Sequence, residues 1–555
     1  MLVTAICAPL MVYGPQVGHS VYFNISWGGI FSEQLFAGEF YPRWLMGLNI
    51  GAGSPVFFFY GPAPFYFSAF GTALCEGCTP SVQLGIGQYL IIVLSSLTFY
   101  LYMRGHVGRW PAALGAFLYG IAPYHLSVDV LVRQAMGEFT TYLFLPLCFL
   151  AVDRISRDRS GLVLLAVSYA LLVMSHIPSA LLASPLILLY ATLVFFPGRK
   201  GKHLFEFSGG ILLGILLASC YLLPAIFDQE NVWISKLWGD YYDYSKWFLL
   251  DGVEAPDPGM EARLGQITLS GSVVMMVSLV LAYSKNSKIR QHIVAVFGVY
   301  LSTWFLLTPL SSWVWEYAPF LKKVQFPWRV IVVQEWSVVV VLCIAFSRAL
   351  EEPRWRLLPA IVLVVACCAG ANYLAQKEFS RHEGLLENPH NQRKLAAGAN
   401  GNFDVPEYLP IGVRVERKVA LSNVRRMPMV VYESGLGVVE VQHWEPRDIR
   451  LNVKLERDTP VVLRHFYYPG WRAVRSDTGE SIRVGSHDPL GLIAFLAPAG
   501  DYGVSIELTS RWPERLGWWL STLGALVCLT LAWLKYRQRN TFKTIPSSAR
   551  SAGSG

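Results

Sequence analysis

Apolar runs of about 20 residues recur along most of the chain, separated by short polar loops, and each is long enough to cross a bilayer core as a helix. Helical spans are predicted at 2–14, 84–102, 111–123, 139–151, 161–175, 179–196, 208–227, 264–283, 291–310, 329–347, 356–375 and 515–534. A different pattern fills residues 376–511, where charges return. There "IRLNVKL" (Ile449–Leu455), "VVLRHFYY" (Val461–Tyr468) and "YGVSIEL" (Tyr502–Leu508) alternate apolar and polar positions. Period-two alternation between turn residues predicts a small antiparallel β-domain, with Ile449, Leu451, Val453 and Leu463 on its buried face.

Composition agrees with a polytopic membrane protein. Of 555 residues, 53% are hydrophobic and 15% charged, and the mean hydropathy is +0.39. The net charge of +8 would suit an anionic partner, but basic cytoplasmic loops account for it more simply. Arg104 and Arg109; Arg154, Arg157 and Arg159; Arg199, Lys200 and Lys202; Lys285, Lys288 and Arg290; Arg348, Arg354 and Arg356; and Lys535, Arg537 and Arg539 fall in alternate loops. They therefore share one face, which the positive-inside rule makes cytoplasmic together with both termini. The apolar start, Leu2–Tyr13, lacks the basic region and cleavage site of a signal peptide.

On this topology residues 15–83 form one external loop with a single basic residue, Arg43. Its centre, "GEFYPRWLMGLNIGAGSPVFFFYGPAPFYF" (Gly38–Phe67), is apolar enough for a membrane but broken by prolines. Pro55, Pro62 and Pro64 each remove a helix hydrogen bond, so Phe57–Leu74 is read as lying at the outer interface without crossing. Seven of the nine cysteines sit in apolar runs and read as packing residues. Cys75 and Cys78 lie in a polar loop, where a disulfide is open to them in an oxidising compartment.

Candidate chemistry comes from charges that break the positive-inside pattern. Arg43, Arg133, Arg329, Lys322 and Lys323 fall on the external side, the last three within "LKKVQFPWR" (Leu321–Arg329). They read either as snorkelling or ion-paired groups or as an anion site, for which a lipid phosphate is the natural ligand. In "YHLSVDVLVRQAMGEF" (Tyr124–Phe139) an external connector carries Asp129, Arg133 and Glu138. Asp129 and Arg133 are spaced to pair on a helix face, while Glu138 stands at the mouth of the next span as a base or a metal ligand. The first loop adds His19, Glu33 and Glu39, and His176 sits at an external turn. In "WGDYYDYSKW" aromatics alternate with Asp240 and Asp243, a composition found in sugar sites and in interfacial belts alike. No nucleotide loop or nucleic-acid signature is present.

"GEFYPRWLMGLNIGAGSPVFFFYGPAPFYF", "VRQAMGEF", "SHIPSALL", "VQFPWR" and "YYPGWRAV" occur in the order expected of YfhO-type bacterial membrane proteins. The chain resembles that family and the related 6-pyruvoyl-tetrahydropterin synthase-related membrane proteins, which look like members of the GT-C glycosyltransferase superfamily. The resemblance implies a GT-C-like fold of about 12 spans: a transmembrane domain at 1–375, an external β-sandwich-like domain at 376–511, a last helix at 512–540 and a flexible tail at 541–555. It implies transfer of a sugar from a polyprenyl-phosphate donor to a glycan, lipid or polymer at the outer face of a bacterial inner membrane. The alternative is a non-catalytic scaffold or transport partner in envelope polysaccharide assembly.

Relatives tend to carry a His-Asp pair early in the first loop, where this chain has His19 and Ser20. Catalytic candidates are then Glu138, Glu39, Glu33 and Asp129, with Arg43, Arg133, Arg329, Lys322 and Lys323 on the donor phosphate. His19, His176, Tyr60, Gln325 and Trp328 are the substrate-binding candidates. A divalent metal, Mg or Mn, is left open.

Overall fold

All twelve apolar stretches are helical in the computed structural model, which describes residues 2–157, 161–195, 201–252, 255–351, 356–386, 389–399 and 404–543. Arg159, Arg199, Lys200 and Arg354, and the tail after Lys543, lie outside the described residues. Among the described residues nine helices are long and apolar enough to span, from Pro80–Met103 to Trp512–Arg537. Ser287–Leu307 continues into Pro309–Tyr317 through an 88° bend, where Pro309 cannot extend the hydrogen-bond ladder. Leu2–Tyr13 and Leu162–Ser175 are shorter apolar helices.

Residues 124–133 depart from the expected connector. They continue the Arg109–Gly120 helix as a wide helical turn, Tyr124–Arg133, nearly all of it buried. Pro123 starts this turn, and Glu335 from the Ile331–Glu351 helix accepts from the backbone N–H groups of Tyr124 and His125 at 2.7 and 3.2 Å. Left-handed Gln134 (φ 55°) ends it, and the chain enters Met136–Ser156, with Glu138 in the first turn.

The strands begin at Val430, later than the expected boundary at 376, which falls inside the helix Leu357–Leu386. That helix runs past its apolar part through "AQKEFSRHEGLL", rich in good helix formers. Pro389–Ala399 and Arg417–Arg426 follow before the first strand. The nine strands are β1 (Val430–Val431), β2 (Gly437–Glu445), β3 (Asp448–Leu455), β4 (Thr459–Phe466), β5 (Trp471–Arg475), β6 (Ser481–Ile482), β7 (Val484–His487), β8 (Leu492–Ala497) and β9 (Gly500–Leu508). They form two antiparallel sheets, in the orders β1-β4-β8-β7 and β2-β3-β9-β5-β6. Ile449, Leu451 and Val453 on β3 and Leu463 on β4 are all buried, so the alternation in each sheet points one face into a common core.

Gly38–Phe67 makes no long helix. It folds into the turns Leu48–Gly51 and Val56–Phe59 and enters Ala63–Leu74. Its aromatics join the β-domain core: Trp44 lies 5.8 Å from Tyr468 and 6.1 Å from Trp471, and Phe58 lies 5.2 Å from Tyr468. Phe466 N donates to Ala52 O at 2.7 Å. Gly53, at φ 86°, lies flat against Trp44, where a Cβ would meet the indole at 2.5 Å. The segment is the plate on which the β-domain rests. Cys75 and Cys78, in the loop that follows it, form a disulfide.

Candidate active site

At one end of the helices a cavity of about 640 Å³ opens between the plate, the wide helical turn and the 319–330 segment. Arg133, Glu138, His176, Arg329 and Tyr60 line it, as do Ser20 and, at the rim, His19 and Lys323. Backbone bonds bring the first loop here, with His19 N and Ser20 N donating to Val132 O and Arg133 O at 3.1 and 3.0 Å. Gly61 permits a close approach on the opposite wall, where a Cβ would sit 2.5 Å from the carbonyls of Met174 and Ser175.

The charges are organised around Glu138, which is buried at 1% exposure. Its Oε2 accepts from Arg133 Nη1 at 2.8 Å and from Arg329 Nε at 3.2 Å, and its Oε1 accepts from Tyr124 Oη. Arg133 Nη1 also reaches Asp129 Oδ1 at 2.7 Å, the i,i+4 pair that the spacing suggested. Arg329 Nη1 donates to Val324 O at 2.5 Å. Each guanidinium keeps Nη2 without a protein partner among the described residues. Glu138 thus fixes two cations at the cavity wall, and their remaining N–H groups suit an anion with several oxygens.

Aromatic rings cover much of the remaining wall. Trp238, Tyr241 and Tyr242 come from the loop in which aromatics and acids alternate, and Trp27, Phe59, Tyr60 and Tyr408 from the plate side. Trp328 stacks on Phe326 at 4.2 Å and meets Trp247 edge-on at 4.4 Å. Gln325 also lines the cavity, with its Nε2 donating to Leu237 O at 2.9 Å. His176 bonds Ser179 Oγ through Nδ1 at 2.8 Å, and burial, reinforced by the Arg329 cation, lowers its pKa to about 3. It is a neutral polar group here.

Several sequence candidates lie elsewhere. Arg43 is buried between Glu514 Oε2 (3.4 Å) and Cys220 O (2.8 Å), and so ties the plate to the last helix. Glu39 accepts from Gln34 Nε2 at 2.7 Å, Glu33 is exposed, and Lys322 pairs with Glu316 at 2.6 Å. Asp129 stands behind Arg133, outside the cavity lining. Asp240 pairs loosely with Lys246 at 3.5 Å.

Glu407 was missed from the sequence. It sits on the turn Pro406–Tyr408 and lines the cavity, and no ion pair holds it among the described residues. Burial, and then the nearby Asp404 charge, raise its pKa to about 7. Glu407 and Tyr242 line the same cavity as Arg133 and Arg329. No local motif marks this glutamate, because it reaches the site only when the segment before the strands packs on the plate.

Mg and Mn take carboxylate and other oxygen ligands, and the donor set here does not fit them. Glu138 and Asp129 are already neutralised by guanidinium groups. The one group of metal-ligand type among the described residues, His106, Asp153 and His292, lies in another cavity at the far end of the helices.

No family model matches the chain, and no curated protein matches it. Among solved structures it is similar to the cryo-EM structure of the arabinofuranosyltransferase AftD from mycobacteria, with 15% identity, 68% of this chain and 26% of that chain covered, and a TM-score of 0.44. A mutant form of AftD matches with 16% identity, 67% and 27% coverage, and a TM-score of 0.44. The chain spans about a quarter of the length of those structures.

Proposed function

We propose that this protein is an integral-membrane glycosyltransferase that takes a sugar from a polyprenyl-phosphate carrier and passes it to a hydroxyl of an envelope glycan, lipid or polymer. The convergence of Arg133 and Arg329 on Glu138 in the wall of an aromatic-lined cavity that Glu407 also lines carries this reading. The arginines hold the donor phosphate, and the rings of Tyr242, Trp238 and Tyr60 pack against the sugar. Glu407 takes the proton from the acceptor hydroxyl, whose oxygen then bonds the anomeric carbon. The bond from that carbon to the phosphate oxygen breaks, and its electron pair leaves on the phosphate, where the guanidinium groups stabilise the charge. Glu138 is a positioning residue here, since its oxygens are occupied by donors.

The cavity is assigned to the outer face of a bacterial inner membrane, with both termini cytoplasmic. Two observations support this sidedness. Cys75 and Cys78 are paired at the cavity end, as in oxidising compartments, while Arg104, Arg157, Lys288 and Arg348 line a cavity at the other end.

One observation favours a second reading. Ser20, which cannot serve as a base, stands in the cavity wall, so without Glu407 the site would bind a lipid phosphate and not turn it over. Purified protein given labelled polyprenyl-phosphate sugars separates the two readings. Transfer that Glu407→Gln abolishes supports the enzyme, and binding without turnover in the unaltered protein supports a scaffold.

A further inference from the structure

A second large cavity, a groove of about 720 Å³, lies between the helices Pro258–Ala282 and Leu357–Leu386 and has Ile331–Glu351 as its floor. Its lining is almost wholly apolar, with Val338, Val339 and Leu342 below and Leu363 and Leu374 on one side. On the other side Leu269 and Val273 are 52% and 63% exposed, so the groove opens on the bilayer-facing surface of the bundle.

Polar groups gather towards one end. Arg263 is engaged with Glu378 at 2.7 Å across the two helices. The Glu335 oxygens accept from Tyr124 N, His125 N and Tyr142 Oη. Gln334 is different. It lines the groove, is 3% exposed, and its Nε2 has no partner among the described residues. A buried amide N–H left without an acceptor is destabilising, so a ligand that fills the groove and supplies an acceptor there is stabilised at that point.

We infer that the groove is a binding site for an ester-linked membrane lipid, with one acyl chain between the helices and the ester carbonyl accepting from Gln334 Nε2. The chemistry selects this occupant. Glu378 offsets the Arg263 charge and Glu335 lies in the same lining, so the end of the groove carries no net positive charge and suits a neutral carbonyl better than a phosphate. An isoprenoid chain would fill the apolar part and leave the amide unpaired. The site is separate from the candidate active site, although Met260 of the same helix lines that cavity and Arg263, one turn on, lines the groove.

The test uses the full chain in nanodiscs containing a phosphatidylglycerol with a photoactivatable diazirine on its acyl chain, read by peptide mass spectrometry. Adducts are expected on residues 263–274 and 363–374. Gly271→Leu grows a side chain into the groove from a position whose Cβ would lie 3.9 Å from its nearest neighbour, Val338. It should lower those adducts at least fivefold, and Gln334→Leu about threefold, while adducts at bilayer-facing Leu212 stay constant and report a folded bundle. Adducts unchanged by Gly271→Leu would overturn the site. Loss in Gly271→Leu with none in Gln334→Leu would overturn the ester assignment, as would displacement of the probe by a tenfold excess of polyprenyl phosphate.

Discussion

Arg133 and Arg329, far apart in the sequence, meet on a single oxygen, Glu138 Oε2, at 2.8 and 3.2 Å. Two cations this close repel unless an anion lies between them, so the carboxylate is what allows both to face the cavity. Glu138→Gln removes that charge from a buried site. It is expected to destabilise the protein by about 3–5 kcal/mol, read as a lower thermal midpoint in detergent, with loss of lipid-phosphate binding.

Glu407 is expected to set the pH dependence. Its carboxyl acts as a base only when ionised, so kcat/KM should rise with pH through an apparent pKa near 7 and then level off. Glu407→Gln should remove that limb and lower the rate by about 10²–10⁴-fold. Stability gives an independent readout. The folded pKa of about 7 lies above the ordinary 4.5, so ionising Glu407 disfavours the fold increasingly as pH rises from 4.5 to 7. The glutamine variant should therefore gain thermal stability over the parent at pH 8 and not at pH 4.

The contact between plate and β-domain is expected to fail in acid. Trp44 Nε1 donates to His465 Nε2 at 2.9 Å, which requires a neutral ring, and burial lowers the His465 pKa to about 4. A base whose pKa falls on folding contributes stability that is present above its ordinary value of 6.5 and lost as pH drops towards 4. Limited proteolysis of the plate should accelerate across that window. Trp44→Ala should cost about 3–5 kcal/mol at neutral pH, whereas Trp44→Phe, which keeps a ring and loses the donor, should cost less.

Sidedness can be read with an impermeant maleimide. Cysteine replacing exposed Glu33 should label in intact cells. Cysteine replacing Trp110, 68% exposed at the other end of the bundle, should label only after permeabilisation. The reverse pattern would invert the assigned topology.

The helices and the β-region were legible because burial against lipid or a sheet core imposes a period along the chain. Arg133, Glu138, Arg329 and His176 were legible as ionisable groups at span ends, where an unused charge is costly. Arg43 was misplaced for a physical reason. Its partner, Glu514, sits at the start of the last helix, and nothing local shows that the two meet. The turn at 124–133 looked like a connector because it holds two charges, yet those charges are satisfied inside the bundle by each other and by Glu138. Glu407 stands in an unremarkable polar stretch, and only tertiary packing brings it to the cavity.

The measurement that bears most directly on the account is transfer of labelled sugar from a panel of polyprenyl phosphates, by the purified protein in proteoliposomes with an envelope-glycan acceptor. Parent protein and Arg329→Lys would be compared under conditions where both are folded. The lysine keeps the charge and loses the planar fork. The account predicts turnover by the parent with one donor and at least a hundredfold loss in the variant, about 2.7 kcal/mol of transition-state stabilisation. No turnover by the parent with any donor, or equal rates in the two proteins, would contradict it.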